Sequence, residues 1–329
     1  MSGLTPVAVK GLADHHGVIT AERLRLCKVG RKTILRLLDD GVLRLVERGV
    51  YCATSVPTSL EQRCALLCAA HPDGFITGPT AGTLAGLRRM PRHASIHLSV
   101  RHRVPLAKAP GVRLRRTTAL TPADRSPRAD GITVASWARL AFDLAADLRP
   151  LDHLSVLQQL LHERKVTTHE LGAIERRLGH PARPGSGLFR RNLERLDGAA
   201  PSESHSEVEL AETLRARGIP IETQARLVRA SNGRSARVDL AVPSVRWGIE
   251  LDIHPEHRTF DGQASDARRV RDLHLQEWQI EPVSESDMQN IHALADELVS
   301  LYHARCRSHP GVGWAPVAHP TPGCASTPG

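Results

Sequence analysis

Residues 17–52 read GVITAERLRLCKVGRKTILRLLDDGVLRLVERGVYC. Two short helical patterns are followed by two strand-like runs. Thr20 stands where an N-cap belongs, with Glu22 and Arg23 in the first turn behind it. In RKTILRLLDDG the apolar residues Ile34, Leu37 and Leu38 fall on one helical face, and Gly41 supplies the stop. VLRLVERGVYCAT then alternates apolar and polar residues around a turn at Arg48-Gly49. Upstream, VAVKGLADHHG reads as another helix with Val7, Leu12 and the alanines on one stripe. Three short helices and a β-ribbon make a winged helix-turn-helix.

In that fold the second helix of the motif enters the major groove of DNA. It would span Arg31–Asp39, preceded by Lys28. Arg31, Lys32 and Arg36 are placed to meet phosphates or bases, and Arg48 at the wing tip to meet the adjacent backbone. The competing reading makes these residues solvated charges on a helical domain used for protein contact. The formal charge of +9 over 329 residues favours a polyanionic partner, although an arginine-rich composition alone produces such a value. The segment resembles the N-terminal domain of AbiEi-type antitoxins, transcriptional regulators of abortive-infection toxin–antitoxin systems. The resemblance implies DNA, a cognate toxin protein and a second copy of the chain as partners.

Outward from this segment the chain divides into 1–56 (winged helix), 57–200 (mixed α/β), 201–305 (a third unit) and a Pro/Gly/Ser-rich tail, 306–329, expected to be disordered. In the middle region TSLEQRCALLCAAHPDG and GPTAGTLAGL read as helices, ASIHLSV and VRLRRTTAL as strands. ITVASWARLAFDLAADL and the long run 151–178 read as helical, and GHPARPGSG at 179–187 as a loop and hinge. The region resembles the part that follows the winged helix in the same regulators. Its histidines at 93, 97, 102, 153, 162 and 169 are scattered and read as surface or packing residues. Six cysteines lie at 27, 52, 64, 68, 306 and 324. Cys64 and Cys68 are spaced for one helix face, but no second pair follows at zinc spacing, so buried free thiols in a reducing compartment are expected. No run is apolar enough to span a membrane, and the chain reads as cytoplasmic.

The third unit raises a different question. In RVDLAVPSVRWGIELDIHPEH (237–257) the carboxylates Asp239, Glu250 and Asp252 stand inside β-prone apolar runs. Strand alternation puts Val238, Leu240 and Val242 on one side and Asp239 on the other; it pairs Glu250 with Asp252 opposite Ile249 and Leu251. A hairpin centred on Ser244-Val245 aligns Asp239 directly across from Glu250, with Cβ atoms about 5 Å apart. Like charges in that arrangement need a proton, a base or a cation. Arg237 or Arg246 could neutralise them on a solvated strand face. A hard cation such as Mg²⁺ answers the same need and leaves waters for a phosphate.

Further residues join the cluster: Glu207 in SHSEVE, His257, and then DARRVRDL with Asp266 and Arg269, followed by Trp278. The combined string resembles a nuclease-like family close to the very-short-patch repair endonucleases of the PD-(D/E)xK restriction-endonuclease-like superfamily. The resemblance covers Ser204 to Pro282. It implies a C-terminal restriction-endonuclease-like α/β domain and hydrolysis of a nucleic-acid phosphodiester with Mg²⁺ or Mn²⁺. By motif, Asp239 is the central metal ligand, Glu250 the second acid and Glu207 the helix acid of the metal shell. Asp252 takes the slot that often holds lysine, and His257 that of a general acid/base. Two positions depart from the pattern, Ile253 and Glu277, where the family carries glycine.

The expected architecture is α+β and multidomain: winged helix, mixed α/β middle region and nuclease-like domain. The function that follows is a DNA-binding, metal-dependent endonuclease. The alternatives are a regulator or antitoxin whose nuclease fold is inactive, a toxin-binding protein, or a nuclease acting on RNA.

Overall fold

The computed structural model describes residues 3–92, 95–102, 110–196, 201–228, 235–252 and 271–308. The chain forms two compact units, residues 1–197 and 198–329.

The first unit begins with α1 (Pro6–Asp14), β1 (Val18–Thr20), α2 (Ala21–Leu26), α3 (Arg31–Asp39), β2 (Leu43–Glu47) and β3 (Val50–Ala53). The three strands form an antiparallel sheet in the order β1-β3-β2, the arrangement of a winged helix. The Thr20 side chain accepts the Arg23 amide and caps α2. Gly41 follows α3 at φ +68°, a left-handed conformation that glycine adopts without strain. Ala8, Leu24, Leu37 and Leu43 bury 0–1% exposed side chains in one core, with Ile34 and Leu38 packed against it. Two expected inward residues point to water instead: Val7 is 67% exposed and Leu45 57%. Ala8, Gly11 and Leu12 carry the buried stripe of α1, one position round from Val7. In β2 only Leu43 is buried; Leu45 still pairs in register with Tyr51, and the register shift lies beyond it, between Leu45 and Glu47.

The same unit continues through α4 (Leu60–Ala70), β4 (Phe75–Ile76), α5 (Gly78–Leu84), β5 (Ile96–Arg101), β6 (Val112–Thr117), β7 (Arg125–Pro127), β8 (Thr133–Ala135), α6 (Trp137–Leu144), α7 (Pro150–His162), α8 (Thr168–Leu178) and α9 (Ser186–Arg195). The sheet order is β6-β5-β4-β8-β7. The run 132–144 is therefore strand then helix rather than one helix; β8 pairs with both β4 and β7, and Ser136 starts the helix. The 179–187 segment, expected to be a hinge, is a close-packed turn: a Cβ on Gly185, at φ +86°, would sit 2.6 Å from the Ala146 nitrogen. Cys64 and Cys68 are free and buried, and burial pushes their thiols up to about 12 and about 11.

Buried charge organises this unit. Arg139 on α6 lies 3.0 Å from Asp143 and 3.6 Å from Asp124, all three nearly inaccessible. Arg177 on α8 closes on Asp124 from the other side, and the Thr77 hydroxyl donates to Asp143 at 2.6 Å. Arg115 on β6 donates to the Asp143 carbonyl at 3.0 Å and pairs with buried Asp147. Burial alone would raise the Asp124 pKa. The Arg177 hydrogen bond, the Thr121 amide and the arginine charges outweigh it and hold the carboxyl below its ordinary value.

The second unit holds α10 (His205–Arg215), β9 (Glu222–Val228), β10 (Ser235–Val242), β11 (Trp247–Asp252), β12 (Gln279–Ser284) and α11 (Ile291–Ser308). Its sheet runs β12-β11-β10-β9, antiparallel except for the parallel pair β11–β12. One face packs Leu240, Val242, Trp247 and Ile249 against Leu210 and Leu214 of α10 and Leu298 and Tyr302 of α11. The other face gathers Val238, Ala241, Leu273 and Trp278. No helix among the described residues is long and apolar enough to cross a membrane.

His153 on α7 offers a test of the first unit's core. It is fully buried; its Nε2 donates to the Ala141 carbonyl at 3.0 Å and its Nδ1 accepts from Asn192 at 3.0 Å. Burial lowers its pKa from 6.5 to about 4. Between those values the unfolded chain binds a proton that the folded chain refuses, so stability falls as pH drops from 6.5 towards 4. The loss amounts to about 3 kcal/mol in full. Urea unfolding of the full chain across this range should show a steeper decline for wild type than for His153→Gln; parallel declines would refute the assignment.

Candidate nucleic-acid interface and carboxylate site

The turn between α2 and α3 sets the first candidate surface. Lys28 adopts φ +59° and Val29 is buried behind it, so the chain reverses sharply before Gly30 starts α3. With Leu37 buried at 0% and Ile34 and Leu38 half-buried, the opposite face of α3 is presented to solvent. It carries Arg31, Lys32, Leu35, Arg36 and Asp39, all exposed. Lys28 is exposed in the turn leading into the helix, and Arg48 in the turn joining β2 and β3. All five basic residues expected to meet nucleic acid thus have solvent-accessible positions on the helix, its leading turn and the wing. Exposed Arg25 on α2 and Arg44 on β2 add cationic positions that the sequence reading passed over. Leu35 was also passed over, although its place four residues after Arg31 puts it on the basic face.

The second candidate site lies in unit two. The β10–β11 register is the expected one: Leu240 faces Ile249, Ala241 faces Gly248 and Val242 faces Trp247. The turn is longer by two residues, a 3₁₀ turn over Pro243–Val245 closed by Arg246 at φ +52°, and it keeps the same centre. The face assignment at Asp239 is different from the expected one. Val238 packs with Ala241 and against Gly248, not with Leu240 and Val242. The alternation slips by one residue at Asp239, because Gln224 across from it on β9 adopts φ +53° and the β9–β10 ladder skips this pair. The described β10–β11 pairs end at Leu240–Ile249, and the Asp239 carboxylate accepts the Leu251 amide at 3.0 Å. Asp239 therefore continues the ladder through its side chain rather than standing as a simple face-to-face partner of Glu250.

Glu207 comes from α10, where Ser204 accepts its amide as N-cap. Its own carboxylate accepts the Glu203 amide at 2.9 Å and the Gln224 amide Nε2 at 2.6 Å. The same Nε2 lies 3.5 Å from Asp239. Gln224, 6% exposed, thus donates between two carboxylates. Burial, then the charge of Asp239, raises the Glu207 pKa; the Glu203, Ser204 and Gln224 hydrogen bonds oppose the rise. Gln224 was not found from the sequence, where a glutamine in ETQARLV carries no distinguishing signal. Glu250 is half-buried on β11 and aligned with Pro282 of β12; Asp252 ends β11 opposite Ser284. His257, Ile253, Asp266 and Arg269 lie outside the described residues. Glu277, where the resembled pattern carries glycine, adopts the left-handed φ +62° that glycine takes freely.

Among the described residues no three His, Cys, Asp or Glu side chains gather closely enough to hold a metal ion. The pair Glu207 and Asp239 is still a donor set suited to a hard divalent cation, which binds through one or two carboxylates and retains water. The raised proton affinity of Glu207 beside Asp239 is the observation that fits it; the Gln224 amide donates between the same two oxygens, so a cation bound there would displace that hydrogen bond.

Comparison with known proteins bears on the first surface. A family model described as "Transcriptional regulator, AbiEi antitoxin" matches residues 10–54, the winged-helix segment. No curated protein matches the chain significantly. A crystal structure of the RV2827C protein from Mycobacterium tuberculosis is similar at 22% identity and a TM-score of 0.35, covering 57% of this chain and 75% of that one.

The Glu207 site makes a stability prediction. A carboxyl whose folded pKa is raised contributes stability below its unfolded value that is lost as pH rises through the folded value. Ionised Glu207 is accordingly a cost at neutral pH, and glutamine can accept the same two hydrogen bonds. Glu207→Gln should raise the melting temperature of the second unit at pH 7.5 without added metal, with the gain shrinking towards pH 4.5. A lower melting temperature for the variant at both pH values would refute the account.

Proposed function

We propose that the protein is a DNA-binding transcriptional regulator of the AbiEi antitoxin kind, whose α3 helix reads the major groove while the β2–β3 wing contacts the backbone. The observation that carries this reading is the exposed basic face of α3 within a segment matched by the antitoxin family model. Arg31, Lys32 and Arg36 would contact phosphates or base edges, with Lys28 and Arg48 on the flanking backbone. A cognate toxin protein and a second copy of the chain are the further partners this reading implies.

The test is footprinting and salt-dependent binding of the full chain on duplexes taken from upstream of its own coding sequence. Each phosphate contact removed by Lys32→Ala or Arg48→Ala should flatten the log affinity against log salt slope by about 0.9. Unchanged affinity and slope in the double variant would sink the interface.

A second reading is supported by the convergence of Glu207 and Asp239 on Gln224, with Glu250 on the neighbouring strand. Here the second unit would hydrolyse a phosphodiester in DNA or RNA. Glu207 and Asp239 would hold Mg²⁺ or Mn²⁺ together with water, with Glu250, Asp252 and His257 assisting. Such a cation polarises a phosphate oxygen and activates water. Supercoiled plasmid, single-stranded DNA and RNA should be cut by wild type in Mg²⁺ or Mn²⁺, not in EDTA, and not by Asp239→Ala. Absence of cleavage on every substrate, or equal cleavage by the variant, would remove this reading and leave the regulator.

A further inference from the structure

We propose that Leu35 is a specificity-determining residue that reads the C5-methyl group of a thymine in the major groove. The inference rests on the regulator reading and adds to it the chemistry of one base in the recognised sequence.

An exposed leucine is by itself ordinary on a protein surface. What makes Leu35 informative is where its 51% exposure falls. It lies in the middle of the nine-residue helix α3, on the face opposite buried Leu37. Its neighbours on that face are Arg31 and Lys32 one turn earlier, Arg36 beside it and Asp39 one turn later, all exposed. A surface that is otherwise fully charged therefore carries one apolar side chain at its centre. The other large exposed apolar residues among those described, Val7, Leu26, Leu45, Val46 and Leu275, lie outside α3.

The polar edges of base pairs in the major groove offer hydrogen-bond donors and acceptors, and a leucine laid against them leaves those groups unpaired. Thymine alone presents an apolar group there, its C5-methyl. The flanking cations supply attraction to phosphates and to guanine, whereas Leu35 can only gain by covering a methyl. Charge complementarity thus selects DNA as the occupant of this face, and the leucine selects a thymine near the middle of the contact.

The experiment uses the full chain. A preferred duplex is selected from a random library, and each thymine in it is replaced singly by deoxyuridine, which removes only the methyl. At one position the substitution should weaken wild-type binding about fourfold, the value of one buried methyl-sized group. Leu35→Ala should bind the thymine and deoxyuridine duplexes equally, with its thermal stability and salt dependence unchanged, and Leu35→Met should restore the discrimination. Equal wild-type binding at every substituted position, or a selected site without thymine, overturns the proposal while leaving the regulator reading intact. If Leu35→Ala keeps the discrimination, the methyl is read by another residue and the proposal is likewise overturned. A wild-type chain that binds no duplex in a salt-dependent way overturns the regulator reading, and this inference with it.

Discussion

A carboxylate taken out of water must find a cation, a hydrogen-bond donor or a proton, and each unit of this protein is organised around how that demand is met. In the first unit it is met by charge. Asp124, Asp143 and Asp147 sit among Arg139, Arg177, Arg115 and the Thr77 hydroxyl, drawing together α6, α8, β6 and the turn before α5. Pairs of this kind contribute little net stability, because desolvation cancels much of the attraction. Their consequence is geometric: removing one member strands a buried charge, so the elements that carry them are held in one arrangement. In the second unit the demand is met only in part. Glu207 and Asp239 share a neutral amide, and Glu207 responds by holding its proton more tightly than usual.

The winged helix shows a different kind of control. Burial of Leu24, Leu37 and Leu43 fixes the rotation of α3 about its own axis. That rotation determines that Arg31, Lys32, Leu35 and Arg36 look outward together. Lys28 at φ +59° and Gly41 at φ +68° bound the helix tightly at its two ends, so its basic face is short and well defined. The specificity of such a face depends on which side chain lies at its centre, and here that side chain is apolar.

Much of this was legible in the sequence, for identifiable reasons. The cap at Thr20 is a local signal, written by a side chain three residues from the amide it serves. The β10–β11 register followed from the centre of the turn, and lengthening the turn symmetrically left it intact. The face of α3 followed from helical spacing. What failed were inferences that required alternation to mean burial: Leu45 keeps its register with Tyr51 but lies on the exposed part of β2, where only Leu43 is buried, and Val238 changes sides where the ladder skips the Asp239–Gln224 pair. Residues 133–135 form a strand although they read as the start of a helix, since β4 and β7 provide partners on both sides.

The sequence by itself determined the winged-helix segment, the basic character of its α3 face and the presence of carboxylates within the strands of the second unit. These depend on side-chain type and short-range spacing, which the chain carries wherever it goes. Only the tertiary structure decided that Gln224, in a left-handed conformation on β9, comes between Glu207 from α10 and Asp239 from β10. It likewise decided that Asp239 takes the Leu251 amide instead of simply facing Glu250. Three segments separated in the chain meet there, and the strain at Gln224 and the slip at Asp239 are offset by packing on both faces of the sheet, a long-range balance that no local pattern records.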